Sequence, residues 1–205
     1  MDTKVLGIAG SARHGGNTEV LLDRALAGAR DAGAVTEKTV LLDLDLNPCI
    51  CPTNEDCLPE GICSVMDDMQ GLYPKLLECD LLLVASPIFF RSVSAQLKAM
   101  IDRCQALWVR KYRLKQDITP RRRSRRLGLF IAVGGEKGER GFQGAVLTVR
   151  ALFVTLNVRY AADLLVARIG RQGNVLRHPE YLDQAYDLSF RLVREEISSH
   201  GSDAR

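Results

Sequence analysis

The sequence predicts an α/β protein built on a doubly wound parallel sheet of five strands, with helices on both faces. Five short apolar segments alternate along the chain with segments in which apolar residues recur at helical spacing. The third apolar segment contains no polar residue from 81 to 85, which is typical of a parallel strand that is buried on both faces. Strands that alternate with helices form layered α/β sheets. We expect residues 1–205 to form a single domain.

The order of the elements follows from the same patterns. The predicted strands are residues 5–9, 36–46, 80–86, 127–133 and 159–166, and the predicted helices begin near residues 17, 67, 95, 142 and 179. Ser94 suits the N-cap of the third helix, and Pro179 suits the first turn of the last one. Pro74 falls inside the second helix and predicts that the helix is kinked or restarts there. The third helix is predicted to end near Leu107, where a polar, basic segment begins.

The turn after the first strand has the composition of an anion-binding loop. Residues 10–18 read Gly-Ser-Ala-Arg-His-Gly-Gly-Asn-Thr and lead directly into the first helix. The first helical turn leaves backbone N–H groups unpaired at the positive end of the helix dipole, and the hydroxyl and amide side chains add donors. The loop lacks the Lys-Ser/Thr pair of a nucleotide triphosphate loop and the spacing of the dinucleotide fingerprint. It therefore predicts a phosphate site, with an ordinary turn and a capped helix as the alternative.

Two further loops are predicted to lie at the same edge of the sheet, because ligands of such sheets bind outside the carboxyl ends of the strands. Residues 87–92 place Phe89 and Phe90 beside backbone amides, which suits a flat heteroaromatic ring. Residues 134–141 are rich in glycine and can lie flat against the edge of such a ring. The three loops together predict one site for a ligand that has both a phosphate and a flat ring.

Composition and charge exclude several classes of protein. The net charge of +3 is too small to indicate nucleic-acid binding, and the basic run 121–126 has no interleaved aromatic residues for base stacking. We expect that run to form a solvated face. The sequence has no apolar run of about 18 residues, and we expect no signal peptide and a cytoplasmic protein that does not enter a membrane.

A cysteine loop, residues 47–64, carries four of the six cysteines of the chain. These are Cys49, Cys51, Cys57 and Cys63. A reducing cytoplasm disfavours structural disulfides, so such a group indicates metal or redox chemistry. Cys79 and Cys104 precede a strand and lie within a helix, where we expect them to be small buried hydrophobic residues.

Several ordered motifs resemble those of a known family. They are Gly10-Ser11-Ala12-Arg13 with Gly16-Asn17-Thr18, Ser86-Pro87-Ile88-Phe89-Phe90, Ser92-Val93-Ser94-Ala95-Gln96-Leu97-Lys98, Ile101-Asp102-Arg103, Cys57-x-x-x-Gly61-x-Cys63 followed by Asp67-Asp68-Met69, and Gly134-Gly135. In these motifs the chain resembles the NADPH-dependent FMN reductase family, and within it the iron–sulfur flavoprotein branch. The resemblance implies a flavodoxin-like fold, bound FMN, NAD(P)H as the electron donor, and a homodimer or homotetramer in which a neighbouring subunit helps to cover the flavin.

The resemblance also implies which residues hold FMN. The phosphate is expected on Ser11, Arg13, Asn17 and Thr18, and the isoalloxazine ring on Pro87, Ile88, Phe89, Phe90, Gly134 and Gly135. No catalytic acid or base is expected, because the flavin supplies the chemistry. The chain departs from the branch at Phe89, where tyrosine is usual, and at Arg91, where glycine is usual and where the side chain is expected to alter access to the flavin. Arginines of the run 121–126 become candidates to contact the NADPH phosphate or an acidic redox protein.

For the cysteine loop, the resemblance implies a [4Fe–4S] cluster on Cys49, Cys51, Cys57 and Cys63, since such a cluster takes four thiolates. Cys57 and Cys63 match the spacing of the branch. The upstream spacing differs, because Asn54 stands where the branch has a cysteine. A zinc site and free thiols that form disulfides in air are the alternatives.

The sequence therefore predicts an NAD(P)H-dependent FMN oxidoreductase of the flavin or quinone reductase type. One alternative is an electron-transfer flavoprotein that passes electrons from ferredoxin through a [4Fe–4S] cluster and FMN. Another is a flavodoxin-like regulatory module without a cofactor. The absorption spectrum of anaerobically purified protein distinguishes them by flavin bands, a thiolate–iron shoulder, or neither.

Overall fold

The computed structural model describes residues 2–50, 57, 60–119, 125–135 and 138–197. Within them lie five strands: β1 (Lys4–Ala9), β2 (Val35–Val40), β3 (Leu81–Pro87), β4 (Leu127–Val133) and β5 (Arg159–Val166). They form one sheet in the order β2-β1-β3-β4-β5, and every neighbouring pair is parallel. The predicted doubly wound parallel sheet is confirmed.

Helices connect the strands. They are α1 (Asn17–Asp31), α2 (Met69–Glu78), α3 (Ala95–Arg103), α4 (Gln105–Trp108), α5 (Gln143–Thr155) and α6 (Pro179–Arg191). As predicted, Ser94 caps α3 by accepting the N–H of Leu97, Pro179 opens α6, and Pro74 lies inside α2. No helix in the described part of the chain is long and apolar enough to cross a membrane.

The helices cover both faces of the sheet because successive strand residues point to opposite sides. In β3, Leu82 and Val84 join the apolar core beneath α2, α3 and α5. Leu81 and Leu83 join a second core beneath α1 and α6. All of these strand residues are buried. The continuous apolar sequence of β3 is thus explained by burial on two faces.

The second strand is shorter than predicted, ending at Val40 instead of Leu46. β2 pairs with β1, and their last paired residues are Ala9 and Val40. Because β1 ends there, the following residues have no neighbouring strand to pair with, and the chain turns into a short 3₁₀ helix, Leu41–Asp43. Leu41 remains buried, which explains why the apolar pattern continues past the end of the strand.

The helical region after α3 extends further than predicted. A π-helical turn, Val109–Arg113, follows α4, although this segment is basic. Val109 is fully buried and packs with Ala106 in the apolar cluster that contains Cys57 and Cys63. Because Val109 is the one buried residue of this segment and basic residues follow it, the sequence pattern did not indicate a helix here.

Arg126, at the end of the basic run, is buried, so the prediction of a solvated face is wrong for this residue. Its guanidinium donates to the carbonyl oxygens of Cys79 at 2.7 Å and Leu156 at 2.6 Å, and to that of Leu76. Arg125 is exposed, and residues 121–124 lie outside the described residues. Arg126 therefore joins the start of β4 to the ends of α2 and α5.

Candidate functional site

A cleft of about 250 Å³ lies at the carboxyl ends of β1, β3 and β4. The strand order reverses between β1 and β3, which is where ligands bind in doubly wound sheets. The residues that line the cleft are Ser11, Ala12, Arg13, Gly16, Asn17, Thr18, Pro87, Ile88, Phe89, Val133, Gly135, Ile169, Gly170 and Gln172. This set contains eight of the ten residues predicted to bind FMN, and it leaves out Phe90 and Gly134.

The first loop of the cleft presents backbone donors. The hydroxyl of Ser11 accepts the N–H of Arg13 at 3.1 Å and donates to the Arg13 carbonyl at 2.9 Å, which folds the loop on itself. The first bond of α1 runs from the N–H of Val20 to the carbonyl of Gly16, at 3.0 Å. The N–H groups of residues 17–19 precede this bond and are available to an anion.

The buried carboxylate of Glu19 holds this loop in place. Glu19 accepts the N–H of Gly15 at 2.8 Å and the ammonium of Lys38 at 3.0 Å, and Lys38 also pairs with Asp23 at 2.9 Å. Burial raises the pKa of Glu19, but the bonds from Lys38 and Gly15 outweigh it, so the pKa lies below its ordinary value. The Glu19 charge is thus compensated by Lys38, and Arg13 is the one ionisable side chain among the cleft residues described above.

A fourth loop, residues 169–173, also lines the cleft, and sequence reasoning missed it. The Asn17 side chain donates to the carbonyl of Arg171 at 2.8 Å and accepts the N–H of Val175 at 3.3 Å. Gln172 donates to the carbonyl of His14 at 3.1 Å. The Asn17 amide thus binds this loop to the first one. Two glycines after β5, at the same sheet edge, are the signal that could have predicted it.

The second loop forms the apolar wall of the cleft with Pro87, Ile88 and Phe89. Phe89 and Ser92 exchange two backbone hydrogen bonds, of 3.0 and 2.9 Å, around a two-residue turn. The residues of this turn, Phe90 and Arg91, have φ angles of 49° and 61°, a left-handed conformation that favours glycine or asparagine. Phe90 is fully exposed at the tip and does not line the cleft.

The two glycines after β4 differ in position. Among the described residues, a Cβ atom at Gly135 would contact only the Cα of Gly170, at 3.9 Å, and Gly135 lines the cleft. A Cβ atom at Gly134 would lie 3.3 Å from the ring of Phe142 and 3.5 Å from Ile88. Gly134 therefore lies behind the lining, where it allows Phe142 to pack closely.

The cysteines that the structure describes do not gather in one place. Cys57 and Cys63 are buried in one apolar cluster, whereas Cys49 lies in a separate cleft beside Cys104. Cys51 lies outside the described residues. No three His, Cys, Asp or Glu side chains of the described segments form a group that could hold a metal. The cysteines that the structure describes do not by themselves fit a four-thiolate cluster.

Cys79 and Cys104 are buried, as predicted. Burial raises the pKa of both thiols, that of Cys104 to about 12. A thiol with such a raised pKa stays protonated and unreactive at neutral pH. These two residues therefore contribute to packing.

Comparison with known sequences identifies relatives of the chain. An iron–sulfur flavoprotein of Methanocaldococcus jannaschii is 43% identical over 105 residues, which are 51% of this chain and 53% of that protein. An iron–sulfur flavoprotein of Methanosarcina thermophila is 31% identical over 135 residues, 65% of this chain and 64% of that protein. A Bacillus subtilis protein whose name describes an NAD(P)H-dependent FMN-containing oxidoreductase is 28% identical over 193 residues, 90% of this chain and 96% of the relative. The match to the first of these relatives thus spans about half of its length.

Solved structures share the fold. A flavone reductase superimposes with a TM-score of 0.69 at 20% identity, covering 97% of this chain and 65% of the other. An NAD(P)H:quinone oxidoreductase from Methanothermobacter marburgensis gives a TM-score of 0.66 at 14% identity, covering 94% and 98% of the two chains. The model of the NADPH-dependent FMN reductase family matches residues 3–169. The chain belongs to the NADPH-dependent FMN reductase family, as the sequence motifs predicted.

Proposed function

We propose that the chain is an FMN-dependent oxidoreductase that takes reducing equivalents from NAD(P)H and binds FMN in the cleft at the carboxyl ends of β1, β3 and β4. The observation that carries the proposal is the convergence of eight predicted FMN-binding residues on that cleft. Family membership supports both the cofactor and the donor, because the family description names FMN and NADPH.

Each wall of the cleft has a separate role in this proposal. The unpaired N–H groups at the start of α1, together with Arg13, would bind the phosphate. Pro87, Ile88 and Phe89 would pack against one side of the ring, and the bare backbone of Gly135 would meet its edge. Bound FMN supplies hydride-accepting chemistry that protein side chains lack. Among the described lining residues no Asp, Glu, His, Lys or Cys is present, which fits a protein that binds and orients rather than one that transfers protons.

The test is anaerobic stopped-flow mixing of the FMN-loaded protein with NADPH and, separately, with NADH. We expect the flavin absorption to bleach with at least one of the two. If neither donor bleaches the flavin while reduced ferredoxin does, the electron-transfer alternative replaces this proposal. If the purified protein neither contains nor binds FMN, the cofactor-free module replaces it.

The phosphate placement predicts a specific loss of affinity. Arg13→Ala removes the one ionisable side chain of the described lining, and a hydrogen bond to a charged group contributes about 1.5–3 kcal/mol. We expect FMN affinity, measured by quenching of flavin fluorescence, to fall at least tenfold. Arg30→Ala removes the same charge from the last turn of α1 and should leave the affinity within about twofold. Equal affinities for the Arg13 and Arg30 variants would refute this placement.

A second candidate function is that of an iron–sulfur flavoprotein that exchanges electrons with a protein such as ferredoxin. The names of the iron–sulfur flavoprotein relatives favour it, as does the burial of Cys57 and Cys63 in one cluster. The ligand set Cys49, Cys51, Cys57 and Cys63 stays a proposal. Iron and sulfide analysis of anaerobically purified protein should give about four of each per chain. If the protein remains free of iron after reconstitution, this candidate fails, and the reductase without a cluster remains.

We also propose a homodimer or homotetramer in which a second copy covers the cleft. The adjacent exposed side chains of Phe89 and Phe90 at the cleft wall support this, because contiguous apolar side chains at a protein surface mark contact sites. Light scattering of the FMN-loaded protein measures the assembly. A monomer at micromolar concentration would contradict it.

A further inference from the structure

The two ends of the cysteine loop are held side by side in a neck, defined here as residues 45–47 and 63–68. The N–H of Asp45 donates to the Asp68 carboxylate at 2.8 Å, and the N–H of Asp68 donates to the Asp45 carbonyl at 3.1 Å. The N–H of Asn47 donates to the Asp67 carboxylate at 2.9 Å. The neck is therefore formed by contacts between residues about twenty positions apart in the sequence.

Arg103, the last residue of α3, is at the centre of this neck. Its Nε donates to the sulfur of Cys63 at 3.2 Å. One terminal nitrogen donates to the Asn47 carbonyl at 2.9 Å and to the Asp67 carboxylate at 2.6 Å. The other donates to the Val65 carbonyl at 2.9 Å and to Asp67 at 3.0 Å. A guanidinium has five N–H groups, and five acceptors surround this one.

Because Arg103 is buried, its position depends on these contacts. The side chains of Arg103 and Asp67 are both inaccessible to solvent. A buried charge persists only when it is paired and fully hydrogen-bonded, so the guanidinium keeps its position only while both ends of the neck are in place. All of the acceptors are protein atoms, and none of the bonds requires a metal ion.

We infer that Arg103 is the positioning residue of the cysteine loop: it closes the neck without a metal and fixes the sulfur of Cys63 at the carboxyl end of α3. The other end of α3 is attached to the start of the first loop of the cleft, because the hydroxyl of its cap residue Ser94 donates to the carbonyl of Gly10. Nine residues of helix, about 13 Å in length, separate the two attachments. Arg103 thus sets the location of this thiol relative to the cleft, whether or not the proposed function is correct.

The test compares alkylation of individual cysteines by iodoacetamide in the native, metal-free protein, quantified by peptide mass spectrometry. Arg103→Lys keeps a positive charge but removes the Nε donor and the forked geometry. We expect labelling of Cys63 to become at least tenfold faster than in the wild type. Cys79 is an internal reference, since it is equally buried and its sulfur accepts a bond from another guanidinium, that of Arg126, at 3.3 Å. A merely global loss of stability would accelerate both thiols together.

Lys98→Gln is the matched control, because it changes a cation on the same helix that pairs with Asp102 in solvent. It should leave Cys63 labelling within about twofold of the wild type. The inference is overturned if Arg103→Lys labels Cys63 no faster than this control, or if it accelerates Cys79 as much as Cys63. Flavin content and NAD(P)H oxidation do not enter any of these readouts.

Discussion

Asp67→Asn is expected to lower the free energy of unfolding by about 3–5 kcal/mol, because it leaves the buried guanidinium of Arg103 without its anionic partner. The carboxylate of Asp67 accepts two bonds from that guanidinium, of 2.6 and 3.0 Å, and the N–H groups of Asn47 and Met69 at 2.9 and 3.1 Å. Asparagine offers one acceptor oxygen and a donor group that would face the guanidinium. Urea denaturation at pH 7 measures the loss.

The control for Asp67→Asn is Asp102→Asn. It makes the same chemical change one residue away from Arg103, but in an exposed pair with Lys98. Pairs of this kind contribute about 0.5 kcal/mol or less. A loss below about 1 kcal/mol at Asp67, or equal losses at the two positions, would show that the buried pair does not stabilise the fold.

The same pair predicts a dependence of stability on pH. The hydrogen bonds from Arg103 are the main cause that lowers the pKa of Asp67 from 3.8 to about 2, against the opposing effect of burial. A carboxyl group with a lowered pKa in the folded state stabilises the protein above its unfolded pKa and loses that contribution as the pH falls. The stabilisation should therefore be complete above about pH 5 and be lost between about pH 4 and pH 2, amounting to about 2 kcal/mol. Asp67→Asn should remove this part of the acid dependence.

How far the sequence predicts this molecule depends on the range of the interactions involved. The bounds of β4 agree with the prediction because strand burial on two faces produces a continuous apolar run. Those of β5 agree as well, although this edge strand is only partly buried. Ser94 and Pro179 were identified because caps and first-turn prolines act through neighbouring backbone groups. The shorter β2 was not predicted, since its end is set by the end of β1, a neighbour in space.

In the site, too, the parts formed by one short segment were predicted and those formed by distant residues were not. The strand, glycine-rich loop and helix at the start of the chain were predicted because one short segment contains all of their chemistry. The loop 169–173 was missed because its attachment to Asn17 joins residues 154 positions apart. Arg103 and Asp67 both belong to motifs that resemble the family. No pattern in the neighbouring sequence, however, indicates that they form a buried pair at the neck of the cysteine loop.

Gly28→Ala is expected to destabilise the protein, although alanine favours a helix interior over glycine by about 1 kcal/mol. Gly28 lies in α1 where that helix crosses α6. A Cβ atom there would lie 2.3 Å from the carbonyl oxygen of Tyr186 and 3.0 Å from its carbonyl carbon. Backbone atoms of a packed helix cannot rotate away, so the two helices must move apart. We expect the free energy of unfolding to fall by about 1–3 kcal/mol, the usual cost of overpacking.

Gly71→Ala separates this steric effect from helix propensity. Gly71 lies in α2, and a Cβ atom there would meet no atom of the described residues within 4 Å. The same substitution should therefore raise the free energy of unfolding by up to about 1 kcal/mol. The unfolding midpoints of the two variants, measured with heat and with urea, should shift in opposite directions from that of the wild type. Two shifts of the same sign would mean that the close approach of α1 and α6 at Gly28 does not limit packing. Opposite shifts would show that α1 and α6 can pack at this distance only with glycine at position 28.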